Sequence, residues 1–132
     1  MGAGQEIEVL RTISPTGFSG LILQGNAGNQ RIEGNAGPNI LNGGGGLDTL
    51  AGGIGNDLYR VDDLTTVIEE FDGEGNSDTI ETSLSYSLTA GLSIEQLRTN
   101  DASATTSIDL SGNELSQLIY GNAGANRLDD GG

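Results

Sequence analysis

Large apolar residues fall singly and nine positions apart through the first half of the chain, at Ile32, Leu41, Leu50 and Tyr59. In that register the segments are GNAGNQRIE (25–33), GNAGPNILN (34–42), GGGGLDTLA (43–51) and GGIGNDLYR (52–60), four in a row without a gap. Glycine holds the first and fourth positions, Asn or Gly the second, and Asp, Asn or Gln the sixth. A helix would repeat its apolar positions every 3.6 residues, and interior Gly costs roughly 1 kcal/mol against Ala, so the spacing excludes one. It predicts a six-residue turn, whose Gly and Asn tolerate positive φ, then a three-residue strand with its middle side chain inward. Two units close one coil, and successive coils stack as parallel strands. Turn 25–30 should then lie over 43–48, and turn 34–39 over 52–57. The expected fold is all-β, a right-handed parallel β-roll.

A longer period of 87 residues contains the short one: IEVLRT (7–12) returns as IEQLRT (94–99), and GNAGPNILN (34–42) as GNAGANRLD (121–129). At the same offset GNAGNQRIE maps onto GNELSQLIY (112–120) and Leu23 onto Leu110. The chain therefore holds about one and a half copies of a larger unit and is expected to be cut from a longer array, since Asp130–Gly131–Gly132 stops where another nonapeptide would start. Residues 64–93 lose the nonapeptide but keep strand chemistry in TTVIEEF (65–71) and DTIETSLSYSL (78–88), separated by DGEGNS and TAG turns. The expected organisation is one domain over 1–132: a main array at 25–60, wider coils at 61–111 and the start of a second array at 112–132.

Composition narrows the chemistry. Glycine reaches 23 of 132 residues without a three-residue period, well above the usual ~7%, and so serves turns rather than collagen. Trp is absent and Phe and Tyr together number five, so no thick aromatic core is expected. The net charge of −14 repels phosphate backbones and anionic membranes, which argues against nucleic-acid or membrane partners and for cations. An acidic solvated surface would carry the same charge, so position has to decide. Without Cys or His there are no disulfides, no thiolate zinc sites and no imidazole base, and no enzymatic activity is expected. No apolar run is long enough to span a bilayer, and Met1–Gly2–Ala3 begins no signal peptide, so any export signal is expected outside this fragment.

A turn that exposes its carbonyls and carries a carboxylate at its sixth position offers several hard oxygens. Two stacked turns offer about six, the shell that calcium prefers. The sixth-position carboxylates are Asp48 and Asp57. Asp62 and Asp63 follow the array and either cap turn 43–48 from the next coil or form a solvated edge. Glu69, Glu70, Asp72, Glu74 and Asp78 form either a further cation site or, as charge-rich loops more often do, a solvated loop. Glu8 and Glu95 recur beside apolar residues, where pairing with Arg11 or Arg98 is expected.

GGGGLDTLA and GGIGNDLYR resemble the RTX, or hemolysin-type calcium-binding, nonapeptide GGxGxDxUx. GGIGNDLYRVDD followed by EGNSDTIETSLSYSL is similar to the long tandem units of large RTX exoproteins. The resemblance implies that one turn gives carbonyls from its first and third positions, its stacked neighbour those from the second and fourth, and both the sixth-position side chain. Carried over, it implicates Gly43, Gly44, Gly45, Gly46 and Asp48, then Gly52, Gly53, Ile54, Gly55 and Asp57, with Gly34, Ala36 and Asn39 from the turn stacked on the last set. The chain departs from the pattern at Gln30, Asn39, Gln117 and Asn126, where amides replace carboxylates. Such turns either bind calcium weakly or, the favoured reading, hydrogen-bond their amides along the stack in place of the metal. The implied function is a calcium-binding folding module of a secreted protein, exported by type I secretion and ordering in calcium-rich medium. The alternative is an accessory polysaccharide-binding module of a carbohydrate-modifying enzyme, and the implied partners are calcium, polysaccharide or other repeats of the same chain. An ice-binding solenoid would want a regular Thr ladder, and Thr49 has no nonapeptide partner.

Overall fold

The computed structural model describes residues 7–132; the reading of Met1–Gly2–Ala3 lies outside them. The described residues form thirteen short strands and no helix. One parallel sheet runs β1 (Val9–Arg11), β3 (Arg31–Glu33), β5 (Thr49–Ala51) and β7 (Val67–Glu69). A second runs β2 (Ile22–Gln24), β4 (Ile40–Asn42), β6 (Leu58–Val61), β8 (Thr79–Thr82), β10 (Gln96–Thr99) and β12 (Leu118–Tyr120). A third holds β9 (Tyr86–Ser87), β11 (Asp109–Ser111) and β13 (Arg127–Asp129). Consecutive strands always fall in different sheets, and every ladder is parallel, as a β-roll requires.

A three-residue strand can bury only its middle side chain, so in the nonapeptide array each core residue must be the centre of a strand. Ile32, Leu41, Leu50 and Tyr59 are all fully buried, in ladders that set Leu50 between Ile32 and Ile68 and Leu41 between Leu23 and Tyr59. Ile80 and Leu97 continue the second row, and Leu110 is the buried centre of the third sheet, between Tyr86 and Leu128. Through the array Ile40 faces Leu58, eighteen residues on, and Arg31 faces Thr49 at the same interval. The interval then changes: Leu58 faces Thr79, Thr79 faces Gln96, and Gln96 faces Leu118. These coils take up both longer and shorter turns while the strands keep register.

The outward positions flanking the core residues carry ion pairs along the stack. The Arg31 guanidinium sits between Glu33 at 2.6 Å and Glu69 at 2.7 Å, and Glu81 lies between Arg98 at 2.7 Å and Arg60 at 3.5 Å. The Arg31 guanidinium holds the Glu69 carboxyl below its ordinary range. These half-exposed pairs contribute little, about 0–1 kcal/mol each.

Candidate metal-binding turns

The turns stack along two edges of the roll, and their hydrogen bonds divide them into two kinds. In four of them, a backbone N–H at the end of the turn donates to the side chain that ends the turn of the next coil. Gln30 donates to Asp48 Oδ1 at 2.8 Å, Asn39 to Asp57 Oδ1 at 2.6 Å, Asp57 to Asp78 Oδ1 at 2.7 Å, and Asp78 to Glu95 Oε2 at 2.8 Å. The expected stacking of 25–30 with 43–48 and of 34–39 with 52–57 is therefore present. Glu95 takes its place in this ladder, and Arg98 pairs with Glu81 instead, which corrects the expected Glu95–Arg98 pairing.

Turns 43–48 and 52–57 carry the carboxylates. Asp48 and Asp57 are 1% and 2% exposed, and in both the second oxygen, Oδ2, is buried without a hydrogen-bond partner. Each Oδ2 lies against the first glycine of its own turn: a Cβ at Gly43 would collide with Asp48 Oδ2, and one at Gly52 with Asp57 Oδ2 and the Tyr59 hydroxyl. Gly44, Gly46, Gly53 and Gly55 all have positive φ, which an L side chain adopts only with strain. Burying a carboxylate with one oxygen unpaired is costly unless a cation completes it. Desolvation pushes the Asp57 carboxyl above its ordinary value, opposed by the hydrogen bonds from Asn39.

Turns 25–30 and 34–39 are tied by the amide N–H groups, although Asn39 Oδ1 is itself buried without a partner. The Asn39 Nδ2 group donates to Gly37 O, to Asp57 Oδ1 at 3.0 Å, and more weakly, at 3.4 Å, to Asn35 O and Gly52 O. Gln30 instead bonds its own turn, accepting from the Asn26 N–H and donating to Asn26 Oδ1. Both arrangements return one long period later, where Asn126 donates to Asn122 O and Gly124 O and Gln117 bonds Asn113 in both directions. No residue of 25–30 or 34–39 has positive φ. Their second-position Asn26 and Asn35 instead accept from the N–H of Gly28 and Gly37 through Oδ1. Asn at the second position thus marks the amide turns, and Gly there marks the carboxylate turns.

The other acidic candidates separate. Asp62 is exposed and accepts from Asn42 Nδ2 at 3.1 Å. Asp63 Oδ1 accepts from the N–H and hydroxyl of Thr65, whose hydroxyl also donates to Gly46 O at 3.0 Å. Those bonds hold the Asp63 carboxyl below its usual range. Glu69 is engaged by Arg31, Asp72 is exposed, and Glu74 accepts the Phe71 N–H at 2.9 Å. Ile54 is 60% exposed, so only its backbone faces the stack.

Glu70 and Asp78 behave differently, because both are buried beside Asp57. One oxygen from each of the three lies within 4.8 Å of the others, the one such group among the described residues. At that separation two unit charges repel by about 3–4 kcal/mol at an effective dielectric of about 20. Desolvation is the largest cause of the upward shifts that follow, to about 8 for Glu70 and about 6 for Asp78, and mutual repulsion adds to it. Two features of the sequence could have set Glu70 apart from the other loop acids: it stands two residues after the inward Ile68, hence on the same side of the chain, and Tyr59 offers a hydroxyl where the other repeats have Ile or Leu.

A parallel roll whose stacked turns bury unpaired carboxylate oxygens against glycine defines a repeat solenoid with metal-ready turns. Residues 24–59 match the family model of the RTX calcium-binding nonapeptide repeat in four copies. Comparison with curated proteins and with solved structures finds no significant match. The residues present fit the ion that the family binds. Asp48 Oδ2 and Asp57 Oδ2 are hard, anionic, buried and unpartnered, and the glycines beside them leave the space that a side chain would fill.

Proposed function

We propose that this chain is a calcium-dependent folding module of a secreted protein, ordered by calcium once outside the cell. The observation that carries this reading is the pair of buried, unpartnered oxygens on Asp48 and Asp57. Asp48 would hold calcium with backbone oxygens of Gly43, Gly44, Gly45 and Gly46. Asp57 would do so with those of Gly52, Gly53, Ile54 and Gly55, while the turn stacked on it, with Gly34, Ala36 and Asn39, would be tied by the Asn39 amide in place of the metal. Asp62 and Asp63 are peripheral, and Gly46 O already receives the Thr65 hydroxyl.

A bound divalent ion supplies charge neutralisation at these turns. The chain's own residues do the rest: the glycines keep the cradle open, the N–H ladder fixes each carboxylate, and Ile32, Leu41, Leu50 and Tyr59 are buried as coils stack. The amide turns need no ion, because the Asn39 amide already donates to oxygens of both stacked turns. They form a part of the roll that is closed without metal, beside a part that waits for it. With sites of ~10⁻⁴ to 10⁻³ M, common in extracellular modules, each would add about 1.4 kcal/mol at tenfold excess calcium. The low calcium of a cytoplasm would leave the acidic turns repelling one another, which supports ordering after export.

The test is titration of calcium into chelator-treated protein, followed by calorimetry and circular dichroism. Heat of binding with a gain of β signal is expected; full β structure with no calcium uptake refutes the proposal. Asp48→Ala combined with Asp57→Ala should remove most calcium-induced stabilisation, whereas Glu74→Ala should change it little.

A further inference from the structure

The turn that follows the array, 70–78, is three residues longer than a nonapeptide turn and lies outside the matched repeats. Ala51 pairs with Glu69, so Glu70 stands over Gly52, at the position that glycine holds in every repeat. Its side chain turns inward and is 2% exposed. There it meets Tyr59, whose hydroxyl donates to Glu70 Oε2 and accepts the Gly52 N–H at 2.8 Å. The other oxygen, Glu70 Oε1, is buried without a partner. Asp57 Oδ2, also unpartnered, crowds the same side of Gly52 as the Tyr59 hydroxyl and so faces this pocket. Asp78 closes the group, with Oδ1 on the Asp57 N–H and Oδ2 against Gly75. No ion pair of the described residues reaches any of the three.

We propose that Asp57, Glu70 and Asp78 hold a calcium-class divalent cation between turns 52–57 and 70–78, where Glu70 adds a carboxylate that the nonapeptide pattern does not supply. The inference extends the calcium reading of the array to residues beyond it. Three carboxylates with neither nitrogen nor sulfur select a hard cation over a transition metal. The ligands come from three points of the chain: before β6, after β7 and before β8. A cation there ties the regular array to the longer coils, across the interval where the eighteen-residue spacing is lost. Tyr59 is a positioning residue, fixing Glu70 through its hydroxyl.

The test uses the full chain, stripped with chelator, with calcium as the calorimetric ligand and terbium as a luminescent stand-in excited through tyrosine. Of Tyr59, Tyr86 and Tyr120, Tyr59 is the one bonded to a proposed ligand. Glu70→Gln and Asp78→Asn should each abolish one calcium site or weaken it at least tenfold, and should remove most of the sensitised terbium emission. Tyr59→Phe should keep the calcium stoichiometry and lose that emission, while Asp48→Asn should lose calcium at the array and keep it. If Glu70→Gln retains both stoichiometry and emission, the junction site is refuted, and loss of calcium in Asp48→Asn would leave the array reading standing. If the unmodified protein takes up neither ion, both fall. Should Glu70→Gln lose its β signal, Tyr59→Phe decides: unchanged emission overturns the proposal.

Discussion

Replacing Asn39 by aspartate converts an amide-closed turn into one with a carboxylate, and the structure sets the size of the effect. The Asn39 Nδ2 group donates to Asp57 Oδ1 at 3.0 Å, to Gly37 O, and weakly to Asn35 O and Gly52 O. An ionised carboxylate in that place would lose these donors and face Asp57 with like charge, a repulsion of about 4 kcal/mol at an effective dielectric of about 20. Protonation sets the ceiling: raising a carboxyl from about 3.9 to above pH 7 costs about 4 kcal/mol at neutral pH, so the loss should settle near that figure. Against a typical stability of about 5–15 kcal/mol, this is a large fraction. In chelator, N39D should therefore melt roughly 10–20 °C below the parent. Calcium should reverse the loss, since a new site contributes about 1.4 kcal/mol per tenfold excess over its dissociation constant and about 4 kcal/mol at a thousandfold. Melting followed by circular dichroism across a calcium series reads both effects. An unchanged melting temperature in chelator, or a calcium dependence no steeper than the parent's, would refute the idea that this amide stands in for a cation.

The metal-free protein should be more stable in mild acid. Glu70 and Asp78 titrate near 8 and 6 in the folded state against ordinary values of 4.5 and 3.8, so the folded chain binds more protons, and stability present below about pH 4 is lost as pH rises through 6 to 8. In chelator the melting temperature should fall from pH 5 to pH 8, and Glu70→Gln should flatten that fall; an equal slope in both proteins contradicts the assignment. Gly52→Ala places a methyl group on Asp57 Oδ2 and the Tyr59 hydroxyl, so calorimetry should show loss of calcium uptake, while Gly45→Ala, whose nearest neighbour would be 3.7 Å away, should keep it. Leu50→Ala empties a fully buried position and should cost about 2–5 kcal/mol in denaturant unfolding, with or without calcium. Arg31→Ala removes two half-exposed ion pairs and should cost no more than about 1–2 kcal/mol in the same assay, shrinking with added salt.

The sequence by itself determined the repeat, the strand centres and the carboxylate turns. A nine-residue period forces one inward side chain per strand, which puts Ile32, Leu41, Leu50 and Tyr59 in the core and Asp48 and Asp57 at the turn ends. The distinction between Asn and Gly at the second turn position was also written there, but its meaning needed the hydrogen bonds: Asn26 and Asn35 fold the turn by accepting the N–H of Gly28 and Gly37, whereas Gly44 and Gly53 adopt positive φ. Only the tertiary structure separated the acidic residues after the array. Glu69 and Glu70 are neighbours of identical chemistry, yet strand alternation sends one outward to Arg31 and the other inward to Tyr59. Asp78 reaches Asp57 because an insertion is taken up in the turn while the strands stay in register, so Leu58 faces Thr79. A period can be counted along a chain, but which side chains meet where the period breaks is fixed by how neighbouring coils stack.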